Sequence, residues 1–167
     1  QKEKISSANI HTMIENLQSI GTTNIAFTGG EPMLRVQEIG GTIQKYKDRS
    51  AFWIITSGFN FTEENAARLK TAGLTGVVVS IDHHDPHQHD VFRRTEGSFR
   101  DALTAVKFSI ENDFVTAIST CITKANATRE YLDEFMEFAR DLGVGFVQFL
   151  EPQPVGHYAR KNVMLKP

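Results

Sequence analysis

The sequence predicts an α/β protein built on a parallel β-sheet. Three observations carry that prediction. Short apolar, β-branched runs alternate along the chain with longer segments whose apolar residues recur at helical spacing. Capping residues and glycines mark the junctions between them. The run Val77-Val78-Val79 is apolar throughout, as expected for a strand covered on both faces. Strand-then-helix alternation of this kind gives parallel strands joined by right-handed crossovers.

Each element follows from local chemistry. Ser6 or Ser7 caps a helix running to about Ile20, with Ile10, Met13, Ile14, Leu17 and Ile20 on one face, and Gly21 ends it. Asn24 to Thr28 is the first strand. Val36 to Lys47 reads as a helix weakened by Gly40-Gly41. Phe52 to Thr56 is the second strand. Thr62 caps a helix to Ala72, with Glu63 and Glu64 in its first turn and Gly73 as its stop. Gly76 to Ile81 is the third strand, and a polar loop spans Asp82 to Gly97. Ser98 caps the next helix, which runs to about Asn112 with Phe99, Leu103, Val106 and Ile110 on one face. Val115 to Ile122 is the fourth strand. A helix starting at Asn126 or Thr128 carries Tyr131, Leu132, Phe135, Met136, Phe138, Ala139 and Leu142, and Gly143 stops it. Gly145 to Leu150 is the fifth strand, before a proline-rich exit at Pro152 and Pro154.

The 167 residues make one domain, residues 1–167, with a sizeable core. A strand–helix unit takes roughly 30 residues and a closed eight-unit barrel about 250, so a chain of this length is short of a barrel by about three units. A doubly wound open sheet is the other option. Both place ligands at the carboxyl ends of the strands.

Composition narrows the function classes. Hydrophobic residues make up 40% and charged residues 23%, which is ordinary for a soluble globular protein. The net charge of −2 gives no electrostatic case for nucleic acid or an anionic membrane. No apolar run reaches the length of a membrane span. The single cysteine, Cys121, reads as a buried residue of a strand interior; it cannot form an internal disulfide, so a reducing cytoplasm is the expected compartment. Gln1 and the loop-like end at Pro167 give the chain the look of an internal piece of a longer protein.

The run Phe27-Thr28-Gly29-Gly30-Glu31-Pro32-Met33-Leu34-Arg35 holds the most chemistry. Gly29 and Gly30 let the backbone approach a ligand closely. Pro32 keeps Glu31 extended. The expected product is a stiff ledge whose acceptors, backbone carbonyls and the Glu31 carboxylate, face outward. A ledge of acceptors suits an ammonium group; a phosphate needs N–H donors, which Pro32 lacks, and Glu31 repels it. The loop His83-His84-Asp85-Pro86-His87-Gln88-His89-Asp90 offers a different chemistry. His and Asp are good zinc ligands, and His87 and His89 on an extended segment would face one side. The hydrolase pattern His-x-His-x-Asp-His is not met, however, and His157 joins only if the chain folds back. The better reading is a solvated loop at the rim of the site.

The order of motifs resembles the core domain of radical S-adenosylmethionine enzymes. Phe27 to Arg35 resembles that family's Gly-Gly-Glu-Pro motif. Thr56-Ser57-Gly58 resembles its Thr-Asn-Gly turn, with serine for asparagine. Ser80-Ile81-Asp82 resembles its Ser-Leu-Asp strand end, with His83 where glycine is usual. His89-Asp90-Val91-Phe92-Arg93, Gly97-Ser98-Phe99 and Ile122-Thr123-Lys124-Ala125-Asn126 continue the match in order.

The resemblance implies a partial, truncated TIM-type barrel that binds S-adenosylmethionine at its top. Gly29, Gly30, Glu31 and Pro32 would face the methionine amino group. Ser80 and Arg93 would contact the carboxylate and nearby polar atoms, with Ser57 and Asp82 in the same cofactor site. Spacing from Asp90 favours Arg93 over Arg94. In the intact enzyme a [4Fe–4S] cluster would cleave the cofactor reductively, giving a deoxyadenosyl radical that abstracts hydrogen from a substrate the sequence does not name, a peptide or coenzyme precursor being the kind the resemblance suggests; a reductant protein would supply the electron. The family's Cys-x-x-x-Cys-x-x-Cys loop, the strand before it and the C-terminal portion are absent from this sequence. The segment alone is therefore expected to hold no cluster, no metal and no activity. No general acid or base is identifiable, so catalytic residues stay unassigned. The rival readings are a cluster-free relative acting as a binding or scaffold module, and a metal-dependent hydrolase or lyase using the His83–His89 loop.

Overall fold

Each strand pairs with the next one in sequence. In the computed structural model, which describes residues 5–155 together with 159, 162, 164 and 165, the five strands run in the order β1-β2-β3-β4-β5 and every pair is parallel. The strands are β1 (Asn24–Phe27), β2 (Ala51–Thr56), β3 (Gly76–Ser80), β4 (Val115–Cys121) and β5 (Phe146–Leu150). The helices are α1 (Ser7–Ser19), α2 (Val36–Tyr46), α3 (Glu63–Ala72), α4 (Pro86–Arg93), α5 (Ser98–Glu111) and α6 (Arg129–Asp141). A 3₁₀ turn, Pro32–Arg35, leads into α2. His157 lies outside the described residues.

One face of the sheet makes the core. Phe52, Ile54, Val77, Val79 and Ile118 join Ile14, Ile43, Leu69, Val106 and Phe135 from five helices in a single buried cluster. Side chains alternate along a strand, and paired residues of neighbouring strands share a face. Trp53, Ile55, Val78, Ser80, Ala117, Ser119 and Cys121 therefore lie on the opposite face, which carries no helix among the described residues. Helices on one side only are the arrangement of a barrel wall, and this decides against the doubly wound alternative. The uncovered face has a floor: the Trp53 ring lies over Gly76, where an added Cβ would meet it at 2.3 Å, and makes an edge contact with Phe146 at 6.4 Å between centroids.

Several local expectations change. Residues 82–97 are not one loop, because α4 forms inside them. Asp85 caps it, its Oδ1 accepting from the Gln88 N–H at 2.8 Å, and Pro86 stands at the first helical position. Helix α5 is capped from outside: Gly97, not Ser98, holds the cap position, and the Asp90 carboxylate accepts from Gly97 N, Phe99 N and Ser98 Oγ. Those donors hold the Asp90 carboxyl below its usual range, the Phe99 amide foremost. Gly40-Gly41 do not interrupt α2; Gly40 faces Ala72 of α3, where a Cβ would just touch. The apolar face of α1 is only partly covered. Ile14 and Gln18 are buried, whereas Met13 is 54% and Ile20 80% exposed. Met13 and Leu17 instead line an open groove of about 650 Å³ beside β1. No helix among the described residues is long and apolar enough to cross a membrane.

Candidate functional site

The carboxyl ends of the strands form a rim of polar groups, and two carboxylates tie it together. At the β1–β2 end, Gly29 follows the strand with φ +124°, a conformation that favours glycine, and Gly29 and Gly30 are exposed with open space above them. Glu31 is extended (φ −109°, ψ 111°), as Pro32 requires. Its carboxylate does not face outward as expected. It turns back to the end of β2, where Oε1 accepts from Thr56 Oγ1 at 2.7 Å and Met33 N at 3.1 Å, and Oε2 accepts from Ser57 N at 3.0 Å and Ser57 Oγ at 2.5 Å. Three donors at the turn after β2, with the Met33 amide beside Glu31 itself, outcompete solvent for it. Gly58, at φ +93°, seats that turn against α5, with an added Cβ only 2.6 Å from Asp101 O. Pro32 is buried beneath the ledge.

At the β3–β4 end the hub is Asp82. Its side chain is 4% exposed and its Oδ2 lies 2.5 Å from Arg93 Nε, at an angle that gives neither atom an aligned hydrogen bond. Oδ1 accepts from Cys121 N at 2.9 Å. The Asp82 main chain is held too: its N–H donates to His89 Nδ1 at 3.1 Å, and its carbonyl accepts from Tyr131 Oη at 3.0 Å. Beside it, Ser80 and Ser119 are register partners with hydroxyls 3.2 Å apart. Arg93 closes α4 and reaches Asp82; Arg94, the next residue, is exposed in the left-handed region at φ 55°. Cys121 is the last residue of β4, half-buried at the rim rather than in a strand interior. Burial pushes its thiol up, with the Asp82 charge adding to this.

The structure thus brings Gly29, Gly30, Glu31, Pro32, Ser57, Ser80, Asp82 and Arg93 to one edge of the sheet. Sequence reasoning placed the Thr56-Ser57-Gly58 turn and the loop carrying His89 at the rim without giving Thr56 or His89 a part in the site, and it missed Ser119 and Tyr131. Only Ser119 carried a signal, since it falls at the same height as Ser80 once the strands are registered.

The histidines separate. Helix α4 replaces the extended segment, so His87 and His89 no longer face one side: His87 is exposed and His89 buried. His89 accepts through Nδ1, and burial, then the nearby Arg93 charge, holds it below its usual range. His83 is also lowered, by burial and then by His84. Among the described residues no group of three or more His, Cys, Asp or Glu side chains is arranged to hold a metal ion. Residues 1–167 do not fit a [4Fe–4S] cluster either, because their single cysteine is Cys121.

Comparison with protein families matches residues 2–142 to the Radical SAM superfamily. The chain belongs to that superfamily. Among its relatives is the AdoMet-dependent heme synthase of Methanosarcina barkeri (strain Fusaro / DSM 804), 30% identical over 132 residues, covering 78% of this chain and 37% of that protein. The GTP 3′,8-cyclase of Pseudomonas syringae pv. syringae (strain B728a) is 25% identical over 158 residues, 93% of this chain and 47% of that one. The chain therefore spans less than half the length of either relative. Among solved structures, Streptococcus suis SuiB bound to precursor peptide SuiA superposes with a TM-score of 0.74 at 15% identity, over 96% of this chain and 36% of that one. Native anSMEcpe with bound AdoMet and Cp18Cys peptide gives 0.72 at 19% identity, over 94% and 46%. At such identities the superpositions speak for the fold, a parallel partial-barrel wall of βα units.

Proposed function

We propose that the rim of this radical SAM chain binds S-adenosylmethionine, and that the protein it serves cleaves that cofactor reductively to abstract hydrogen from a peptide or coenzyme precursor. The observation that carries the reading is the gathering at one sheet edge of an acceptor ledge for an ammonium group and a guanidinium with a hydroxyl pair for a carboxylate. The main chain at Gly29-Gly30 meets the amine. Ser80 and Arg93 meet the carboxylate, for which the planar guanidinium is well shaped. Pro32 and Ser57 stiffen the ledge, and Asp82 orients Arg93. The apolar uncovered face, floored by Trp53, takes the rest of the cofactor and the reacting part of the substrate away from water. A [4Fe–4S] cluster, ligated from outside residues 1–167, supplies the electron, delivered by a reductant protein.

Titration of the chain with S-adenosylmethionine, followed by amide NMR, tests the binding step. Without cluster chelation the contacts left are a few charge-assisted hydrogen bonds against the cost of association, so affinity in the millimolar range is expected. Saturable shifts belong at Thr28 to Gly30, Ser57, Ser80 and Arg93. Shifts confined to other surfaces, or none at about 10 mM ligand, roughly tenfold above a dissociation constant of about 1 mM, overturn the reading.

A further inference from the structure

We infer that Glu31 is a positioning residue which acts on the amine site through Thr56 and Ser57, and does not itself touch the ammonium group. The inference rests on the reading of the rim as the S-adenosylmethionine site. Its basis is the acceptor capacity of a carboxylate. Two oxygens offer about four lone-pair sites, and the structure fills four: Met33 N, Thr56 Oγ1, Ser57 N and Ser57 Oγ. An arriving ammonium would have to displace a donor already in place, and two of these donors are main-chain N–H groups, Met33 N and Ser57 N. Gly29 and Gly30 are the exposed residues of the ledge, added Cβ atoms there would meet nothing within 4 Å, and their main-chain carbonyls are the acceptors left for an amine. A carboxylate bound from behind fixes those carbonyls. It does so by clamping residues 31–33 to the end of β2, and Gly58 in turn seats that end against α5. Thr56 is the less obvious member, because its side chain lies on the core side of β2 and is buried. It reaches the rim only through Glu31 and through Gly58, whose N–H donates to Thr56 Oγ1 at 3.0 Å.

The test compares Glu31→Gln, Thr56→Val with Ser57→Ala, and the triple variant, in the full 167-residue chain. A glutamine cannot accept on both sides, so either amide orientation sets its NH₂ against the Ser57 or the Met33 N–H. Hydrogen exchange at Ser57 or at Met33, whichever amide faces the new NH₂, should quicken roughly tenfold in Glu31→Gln, and the Gly29 and Gly30 amides should shift, with no ligand present. Unchanged exchange and unchanged glycine shifts overturn the inference. Thr56→Ser keeps the hydroxyl and should restore wild-type behaviour at both glycines; failure to do so shows that the threonine acts by packing. S-adenosylmethionine affinity from NMR titration then separates the routes. If Glu31 acts only through β2, Glu31→Gln and the Thr56→Val/Ser57→Ala pair should weaken binding by a similar factor, and the triple variant by no more. If Glu31 contacts the amine, its loss adds to the pair's loss in full, and the inference fails. Absence of rim shifts in the wild-type chain counts against the cofactor reading, while the ligand-free exchange result still judges the clamp.

Discussion

Glu31 and Asp82 each close a gap between neighbouring strand ends, Glu31 from β1 to β2 and Asp82 from β3 to β4, yet they are held by different chemistry. Glu31 is half-buried and is satisfied by neutral donors alone, two main-chain amides and two hydroxyls. Asp82 is buried and faces a cation, Arg93, along with one amide donor. A carboxylate with neutral partners leaves the β1–β2 end of the rim net negative, the field an ammonium group prefers. The Asp82–Arg93 pair is close to neutral, but about a third of the Arg93 side chain stays in solvent, and a guanidinium is the group an anion prefers. One rim thus offers opposite fields at its two ends, from the same residue chemistry in two settings. The proposed binding of S-adenosylmethionine would set its dipolar amino-acid end along that division.

The largest way to break the comparison is to remove the buried charge. Asp82→Ala leaves Arg93 without its carboxylate and orphans the Cys121 N–H. Breaking a buried pair costs 3–5 kcal/mol in general; Arg93 keeps about a third of its side chain in solvent, so about 3 kcal/mol is expected. Urea unfolding should read it as a lower midpoint at unchanged slope. A loss below about 1 kcal/mol would place Asp82 with ordinary surface ion pairs.

The other end breaks through its backbone. Gly58→Ala puts a Cβ 2.6 Å from Asp101 O and 2.7 Å from the Ala102 backbone, at a positive φ. Helix α5 or the turn must move, at a cost of about 2 kcal/mol. The Ser57 amide should then lose its hydrogen-exchange protection while the Cys121 amide keeps its own. Equal loss at both would show that the two ends respond as one unit.

The strands and most helices were legible because periodicity and caps are local. Ser6, Thr62 and Thr128 do cap α1, α3 and α6 through their side chains. Helix α4 was not, because its sequence buries only His89 and so shows no apolar stripe; the Asp85-Pro86 cap was its one signal. The rim residues were placed at the right edge from strand ends alone. The direction of the Glu31 carboxylate was not readable, since its decisive partners lie 25 and 26 residues further on. The same holds for Tyr131, which reads as a core aromatic and also reaches Asp82 O across 49 residues.

Acidity sharpens the contrast between the ends. His89 and His83 stand on the Asp82 side, and both have folded pKa values lowered, chiefly by burial. A lowered histidine pKa means that the unfolded chain binds the proton more readily. Their contribution is complete above the unfolded value of about 6.5 and is lost as pH falls from there through the folded values. Stability should decline on acidification from pH 7 to 5 by at most about 1.4 kcal/mol per pH unit per histidine. His89→Gln should flatten that slope, while His87→Gln, at an exposed position, should not. An unchanged slope in the His89 variant would show that the fall comes from elsewhere, Asp90 being the next candidate at lower pH.

The smallest expected effect separates the carboxylate of Asp82 from its main chain. Tyr131→Phe removes only the hydroxyl that donates to Asp82 O at 3.0 Å, and the ring keeps its place against Phe135. The carbonyl left behind is buried, so a loss of about 1 kcal/mol follows, near the low end of the range for an unsatisfied acceptor. For a chain of this length that is about 2–4 °C in Tm. The ion pair with Arg93 does not pass through this hydrogen bond, so the amide shifts of Arg93 and Cys121 should stay close to wild type. A loss matching that of Asp82→Ala, with those amides displaced, would mean that Tyr131 holds the whole β3 end in register. The hub would then be the α6 contact rather than the buried charge, and the two ends of the rim would differ by packing instead of by partner chemistry.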